Sequence, residues 1–193
     1  MYPIITIGRQ FGSGGYDIAK QLADQLGWKL FDRETLLTCA EEDDSIQELE
    51  TFLDEKPLNS LLYAIVAQSG SREVVAKAGF DAVRQILAKQ PSVLIGCCGN
   101  VMLRGCESAA RIFLHAPQPW RVERIARTQN LTHRKAEELT ARTDRDRASF
   151  HQGYTGEVWG QSDGYDLTIN TASLETDEVA QLIADYVRRR HLI

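Results

Sequence analysis

Long hydrophobic runs are missing from this 193-residue chain. The longest wholly apolar stretch runs from Leu61 to Ala67, far short of the roughly 20 residues that cross a bilayer as a helix, so no membrane span is expected. The amino-terminal MYPIITIGRQ has no basic region followed by an apolar stretch and a small-residue cleavage site, and the expectation is a cytoplasmic protein. Cysteine is scarce too. Cys39, Cys97, Cys98 and Cys106 lack C-x-x-C spacing, so they read as buried thiols in a reducing compartment rather than a zinc site or disulfide framework. Positive charge is in the minority, 22 Lys and Arg against 27 Asp and Glu, a net charge of −5. That balance excludes a surface built to coat itself in nucleic acid, although local basic clusters can still hold phosphates. With 43% hydrophobic and 25% charged residues, the composition is that of a globular domain, and the length fits one domain or one with an insertion.

Residues 3–7 form a β-branched run that stops at Gly8, followed by the cluster Gly12, Gly14 and Gly15. From Tyr16 the spacing of Ala19, Leu22, Ala23 and Leu26 predicts a helix that Gly27 ends. A short strand from Lys29 to Phe31 stops at Asp32. Between Arg33 and Gln90 strand signals vanish and helical spacing takes over, through Leu58 to Val66 and Val75 to Ile86, with the acidic stretch Glu41 to Asp44 as a solvated face. Two short buried strands follow, Val93 to Ile95 and Arg111 to Leu114. Pro117 and Pro119 then open a helix, and a charged helix spans Thr132 to Phe150. Tyr154 to Gly160 reads as a loop, and a last strand, Leu167 to Asn170, precedes a helix carrying Val179, Leu182, Ile183 and Val187 on one face. Alternating strands and helices imply an α/β fold with a parallel sheet, whose ligands bind at the carboxyl ends of the strands. Those ends are Gly8 to Gly15, Asp32, Gly96 to Asn100, and His115.

A glycine loop between a first strand and a first helix aims backbone N–H groups and a helix N-terminus at one point, which suits an anion. The bland alternative is a tight turn without a ligand. The phosphate-binding pattern G-x-x-x-x-G-K-[ST] also needs a lysine and a hydroxyl, yet here Gly14 is followed by Gly15, Tyr16 and Asp17. Arg9 is the candidate to supply the missing charge, with a surface ion pair as its alternative. Further along, Arg142-Thr-Asp144-Arg145-Asp146-Arg147 packs three arginines and two acids into one helical stretch. Arg142 and Asp146, and Asp144 and Arg147, are spaced to interact. This is either a solvated, salt-bridged helix or a set of arginines directed at transferring phosphates. Of the histidines, His115 lies near the strand-end site, while His133 and His151 read as exposed.

The stretches IITIGRQFGSGGYDIAKQLADQLGWKLFDRE, EKPLNSLLYA, SVLIG with IFLHAP, and RTDRDRASFHQGYTGEVWG with YDLTINT resemble the cytidylate kinase-like family of P-loop proteins over nearly the whole chain. That resemblance implies a P-loop NTPase of nucleoside-monophosphate (NMP) kinase type, with a parallel sheet of about five strands flanked by helices. Its core would be residues 1–32, 91–127 and 163–193, with a helical NMP-binding insertion at 33–90 and a lid at 128–162. By resemblance Gly12, Ser13, Gly14 and Gly15, with Tyr16 and Asp17 beside them, hold the ATP phosphates. Arg142, Asp144 and Arg147 belong to the lid and, with Arg9, to catalysis. Asp32, Arg33 and Gly96 face the acceptor, ATP and Mg2+ are the implied cofactors, and Asp17 or Asp32 stands near the metal. The family's loop ends GSGG, so the absent lysine is a family trait. Three acceptor-gripping groups of authentic cytidylate kinase are replaced here: an arginine by Thr38, an Arg-Asp pair by Cys97 and Cys98, and a lid arginine by Ser149. Arg33, Arg72 or Arg104 would have to compensate.

Three functions remain open from sequence. The first is a kinase passing the ATP γ-phosphoryl group to a nucleoside monophosphate (CMP or dCMP by resemblance) or another small acceptor, without nucleic-acid or membrane partners. The second is a nucleotide-binding pseudokinase or regulator without turnover. The third is a structural protein whose Trp28, Trp120, Trp159 and the aromatic stretch Phe150 to Trp159 form an interface.

Overall fold

The computed structural model describes residues 2–41, 49, 52–53 and 71–193. A five-stranded, wholly parallel sheet lies at its centre, in the order β2-β3-β1-β4-β5. Its strands are β1 (Ile4–Arg9), β2 (Lys29–Phe31), β3 (Ser92–Ile95), β4 (Ala109–His115) and β5 (Leu167–Asn170). The helices, numbered along the described chain, are α1 (Gly15–Leu26), α2 (Arg33–Glu41), α3 (Ser71–Leu87), α4 (Gly99–Met102), α5 (Gln118–Thr128), α6 (His133–Thr155) and α7 (Thr176–Arg189). Because all strands run the same way, Arg9, Phe31, Ile95, His115 and Asn170 end along one edge of the sheet.

The central strand is buried on both faces, with Thr6 beside the isoleucines, as a strand covered twice must be. Ile5 and Ile7 join Val93, Ile95, Ala110, Ile112 and Leu114 in a core closed by α1 and α7. Ile4 points to the other face, where Phe31, Leu36, Leu94, Phe52, Val83 and Leu87 pack. A third cluster, Val122, Ile125 and Ala136, joins α5 to α6 and takes in Phe11 from the loop after β1.

The strand expected over Arg111 to Leu114 runs from Ala109 to His115, and two further boundaries differ from the sequence pattern. The strand expected to stop at Gly8 continues to Arg9. Gly8 is paired opposite Phe113, and a Cβ there would stand 2.9 Å from the Phe113 ring and 3.1 Å from the Tyr165 hydroxyl. That glycine serves close packing, not a turn. Helix α6 continues past Phe150 to Thr155. Phe150 and Tyr154, one turn apart, pack on Phe52 with ring centroids at 5.6 and 5.1 Å, and Gly156, in the left-handed conformation, ends the helix. Of the helical stretch expected over 33–90, α2 and α3 are present. The spacing from Leu58 to Val66 and the acidic 42–44 lie outside the described residues.

The entry to β5 is held by charge. Asp166 accepts from the Arg111 backbone N–H (2.8 Å), Arg111 Nη2 (2.6 Å) and Arg190 Nη1 (3.3 Å). Burial opposes ionisation of this carboxyl, but the bonds from Arg111 outweigh it and hold the group below its ordinary value. A folded-state pKa below the unfolded one stabilises the protein above the unfolded value, and the effect is lost as pH falls through the folded one. Asp166→Asn is therefore expected to cost about 2–3 kcal/mol at neutral pH. The gap between wild type and variant, measured by urea unfolding, should hold down to about pH 5 and close progressively below that.

Candidate functional site

The chain leaves β1 at Arg9 and turns through residues 10–14 into α1. Gly12 and Gly14 have φ of +81° and +82°, a region costly for other residues, and a Cβ on Gly12 would stand 2.9 Å from the Arg121 carbonyl oxygen. Ser13 is buried; its hydroxyl donates to the Gln10 carbonyl at 2.8 Å, and its own carbonyl accepts from Thr171 Oγ1 at 2.8 Å. Gly14 caps α1 with no side-chain hydrogen bond. The first-turn N–H groups of α1 thus have no side chain competing for them, which is the construction of an anion site.

The position that usually carries the loop lysine is filled from elsewhere. A Cβ on Gly15 would lie 2.7 and 2.8 Å from Arg9 Cβ and Cγ, and a Cβ on Gly96 would lie 2.6 Å from Arg9 Nη1. The Arg9 side chain therefore crosses the top of the sheet, from the start of α1 to the end of β3. Its stem occupies the space where a residue-15 side chain would begin.

Helix α6 rests on this loop. Asp144 Oδ1 accepts the Phe11 N–H at 2.7 Å, and Asp144 Oδ2 accepts from Arg121 Nη1 at 2.6 Å. The same Arg121 nitrogen donates to the Phe11 carbonyl at 2.8 Å, while Arg121 Nε donates to Ala116 O at 2.9 Å. Three residues beyond Asp144, Arg147 donates to the Arg9 carbonyl at 3.1 Å, with its guanidinium 5.7 Å from the centre of the Phe11 ring. Arg142 is exposed, because a two-residue step turns a helix by roughly 200° and directs it away from the face that carries Asp144.

The other sequence candidates divide in two. On the far side of Arg9, Asp32 caps α2, accepting from the backbone and hydroxyl of Thr35 at 2.9 and 2.8 Å. Burial disfavours its charge, but these bonds prevail and hold it below its ordinary value. The Tyr16 phenol is raised by partial burial and by the nearby Asp32 charge. Gly96 (φ +88°) begins a run of left-handed residues continued by Cys97 (+55°) and Cys98 (+52°), both buried. Asp17, by contrast, is paired with Arg124 at 2.8 Å, and Arg33 Nε donates to the Leu53 carbonyl. Arg104 holds Glu157 with two 2.7 Å bonds, and the Arg72 side chain lies outside what the structure describes. His133 is exposed as expected, but His151 is not: it is 3% exposed. Burial lowers its imidazole pKa, and its ring nitrogens meet the Glu157 carbonyl (3.1 Å) and Asn100 Oδ1 (3.3 Å). The extension of α6 beyond Phe150 is what carries it inward.

Two features escaped the sequence reading. Arg121 is one, although Ile125, four residues on, marks its side of α5 as the buried one. The other is a cleft of about 680 Å3 beside Ser13 and Gly14, walled by Trp120, Arg124 and Arg127 on one side and by residues 171–176 on the other. Its walls come from sequence-distant segments, helix α5 and the stretch after β5, and no local spacing announces it. Trp120 lines this cleft, while Trp159 packs edge-on against Phe113 at 5.5 Å and Trp28 packs against the core.

Among the described residues no helix is long and apolar enough to cross a membrane. The model of the cytidylate kinase-like family matches residues 4–173. A curated cytidylate kinase from Methanocella arvoryzae (strain DSM 22066 / NBRC 105507 / MRE50) is 27% identical over 184 residues, covering 93% of this chain and 94% of that protein. Among solved structures, an uncharacterized protein from Eubacterium ventriosum ATCC 27560 superimposes with a TM-score of 0.74 at 23% identity, over 96% of this chain and 98% of that one. Shikimate kinase from Acinetobacter baumannii, solved with shikimate, follows the same fold at a TM-score of 0.53 and 15% identity, over 100% and 97% of the two chains. With the family match spanning the loop, all five strands and helix α6, the chain belongs to the cytidylate kinase-like family.

Proposed function

We propose that the protein is a nucleotide kinase that passes the terminal phosphoryl group of ATP to a nucleoside monophosphate, CMP or dCMP in line with its family, or to another small acceptor. The observation that carries this reading is the uncapped glycine loop at the start of α1 with the Arg9 stem laid across Gly15 and its guanidinium at Gly96. That arrangement offers backbone N–H groups for one part of a polyphosphate and a fixed cation for the next. The cleft beside Ser13 and Gly14 would take the nucleoside part of the donor. On the other side of Arg9, Asp32, Tyr16 and the Gly96 turn would face the acceptor, beneath residues 33–90 as an acceptor-binding insertion and 128–162 as a lid.

In such a transfer the acceptor oxygen attacks the γ-phosphorus in line, the bond to the β,γ-bridging oxygen breaks, and ADP leaves; positioning and charge neutralisation supply the catalysis. Arg9 and Arg147 would spread the charge on the transferring group, whereas Asp144, tied to Phe11 and Arg121, would hold the helix that brings Arg147 there. When bound, a magnesium ion would supply charge neutralisation to the phosphates. The residues fit it only in an outer role. Among the described residues there is no cluster of three metal-ligating side chains, Asp17 is engaged by Arg124, and the ionised Asp32 is the better placed of the two aspartates.

One observation favours a nucleotide-binding regulator without turnover. Thr38, Cys97 and Ser149 stand where arginines grip the acceptor in authentic cytidylate kinase, and Arg33 and Arg104 are both engaged elsewhere. An ADP-release assay over a panel of monophosphates separates the two readings. Turnover with an acceptor supports the kinase; stabilisation by ATP with no turnover on any acceptor supports the regulator.

Arg9→Ala and Arg147→Ala are each expected to lower kcat/KM about 10- to 100-fold or more, the size of one charge-assisted phosphate contact. Gly15→Lys, which recreates the usual loop lysine, is expected to reduce rather than improve function. Its stem would collide with Arg9, so the melting temperature should fall by several degrees, in line with about 1–3 kcal/mol of overpacking, and the stabilisation by ATP should shrink. A Gly15→Lys variant with higher activity than wild type would refute the assignment of Arg9.

A further inference from the structure

The contacts of Arg121 assign a role to a residue outside the phosphate loop and the basic stretch alike. Both backbone polar groups of Phe11 are captured by one ion pair: its N–H by Asp144 at 2.7 Å and its carbonyl by Arg121 at 2.8 Å, the two side chains bonded to each other at 2.6 Å. We propose that Arg121 and Asp144 are a positioning pair that makes occupation of the phosphate loop and docking of helix α6 a single event. This rests on the nucleotide reading above.

Four observations support the coupling. The side chains are 7% and 19% exposed, so the pair acts through Phe11. Attachment of α5 to α6 does not require it, because Val122, Ile125 and Ala136 already form an apolar contact between those helices. Apolar residues in its place would glue the helices as well, but they would leave the Phe11 N–H and carbonyl without these partners. The loop is also seated on the Arg121 backbone, where a Cβ on Gly12 would meet both its carbonyl oxygen and its Cβ. Finally, Arg147 repeats the connection one turn along α6, donating to the Arg9 carbonyl and lying over the Phe11 ring. Any shift of residues 9–12 on taking up a phosphate is thereby imposed on α6, and any undocking of α6 releases the loop. The planar guanidinium fork can donate to a carbonyl and a carboxylate at fixed angles, which a lysine ammonium cannot do with the same geometry.

The test combines ATP titration with amide hydrogen exchange over α6 in wild type, Asp144→Asn and Arg121→Lys. In wild type, magnesium and ATP are expected to slow exchange around residues 144–152 by about fivefold or more. Asp144→Asn should bind ATP about tenfold more weakly, and at saturating ATP its α6 amides should exchange as they do without nucleotide. Arg121→Lys, which keeps the charge and loses the fork, should fall between the two. A merely structural pair would lower α6 protection with and without ATP alike and leave the ratio of rates at the wild-type value, and that result would overturn the proposal. Should Asp144→Asn fail to give a cooperative melt, Arg121→Lys carries the same comparison, and a wild-type ratio there also overturns it. If wild type itself does not bind ATP, the nucleotide reading falls and takes this inference with it; ATP binding with an unchanged ratio in the variants removes the inference alone.

Discussion

A phosphate-binding loop must leave its N–H groups unsatisfied by its own chain and still keep one shape. Local bonds, here those from Ser13 to the Gln10 carbonyl, are too few to fix such a loop, so the rest of its shape has to come from outside. In this protein three sources supply it. Thr171, after β5, holds the Ser13 carbonyl; Arg121, on α5, holds the Phe11 carbonyl; and Asp144, on α6, holds the Phe11 N–H. Each comes from a different segment on the carboxyl side of the sheet. The five-stranded order, the placement of α5 after β4 and the length of α6 can all be understood as bringing those groups to one loop.

The order of strands and helices was legible because each strand is a short apolar run and each helix repeats at 3.6 residues. The sheet core, Ile4 to Ile7 with Val93 to Ile95 and Ile112 to Leu114, follows directly from that pattern. The glycine loop was legible for the same kind of reason, being a local cluster. What could not be read were relations between distant segments. The spacing of Asp144 and Arg147 pointed to a pair within the helix, yet the carboxylate is held by Arg121 and Phe11, which no helical spacing connects to it. His151 reads as lid surface from sequence, whereas the aromatic contacts of Phe150 and Tyr154 with Phe52 extend the helix and bury it. At Gly8 a residue that marks turns in most sequences is needed inside a strand for the ring of Phe113.

The site also shows how position governs what a charge can do. Of the arginines discussed, Arg111 and Arg190 fasten β5, Arg104 fastens the loop after α6, and Arg124 neutralises Asp17. Arg121 is engaged by the Phe11 carbonyl and by Asp144, while Arg9 and Arg147 meet at the start of the loop, one from the central strand and one from α6. A net charge of −5 conceals this arrangement, since the excess of acid comes from residues 41–55, which hold eight Asp and Glu and no Lys or Arg, whereas the two cations are concentrated at one strand end.

Placing the cation of a phosphate loop on a strand instead of on the following helix changes its chemistry. A helix-borne lysine is a nucleophilic amine on a flexible stem, open to acylation and able to lose its proton when water is excluded. Arg9 is rooted in β1, which is hydrogen-bonded to β3 and β4 on either side, and a guanidinium keeps its charge at any pH at which the protein is folded. Residues 8–17 contain no lysine at all. Amine-directed reagents therefore find no target in this loop, and the charge that faces it is as fixed as the sheet.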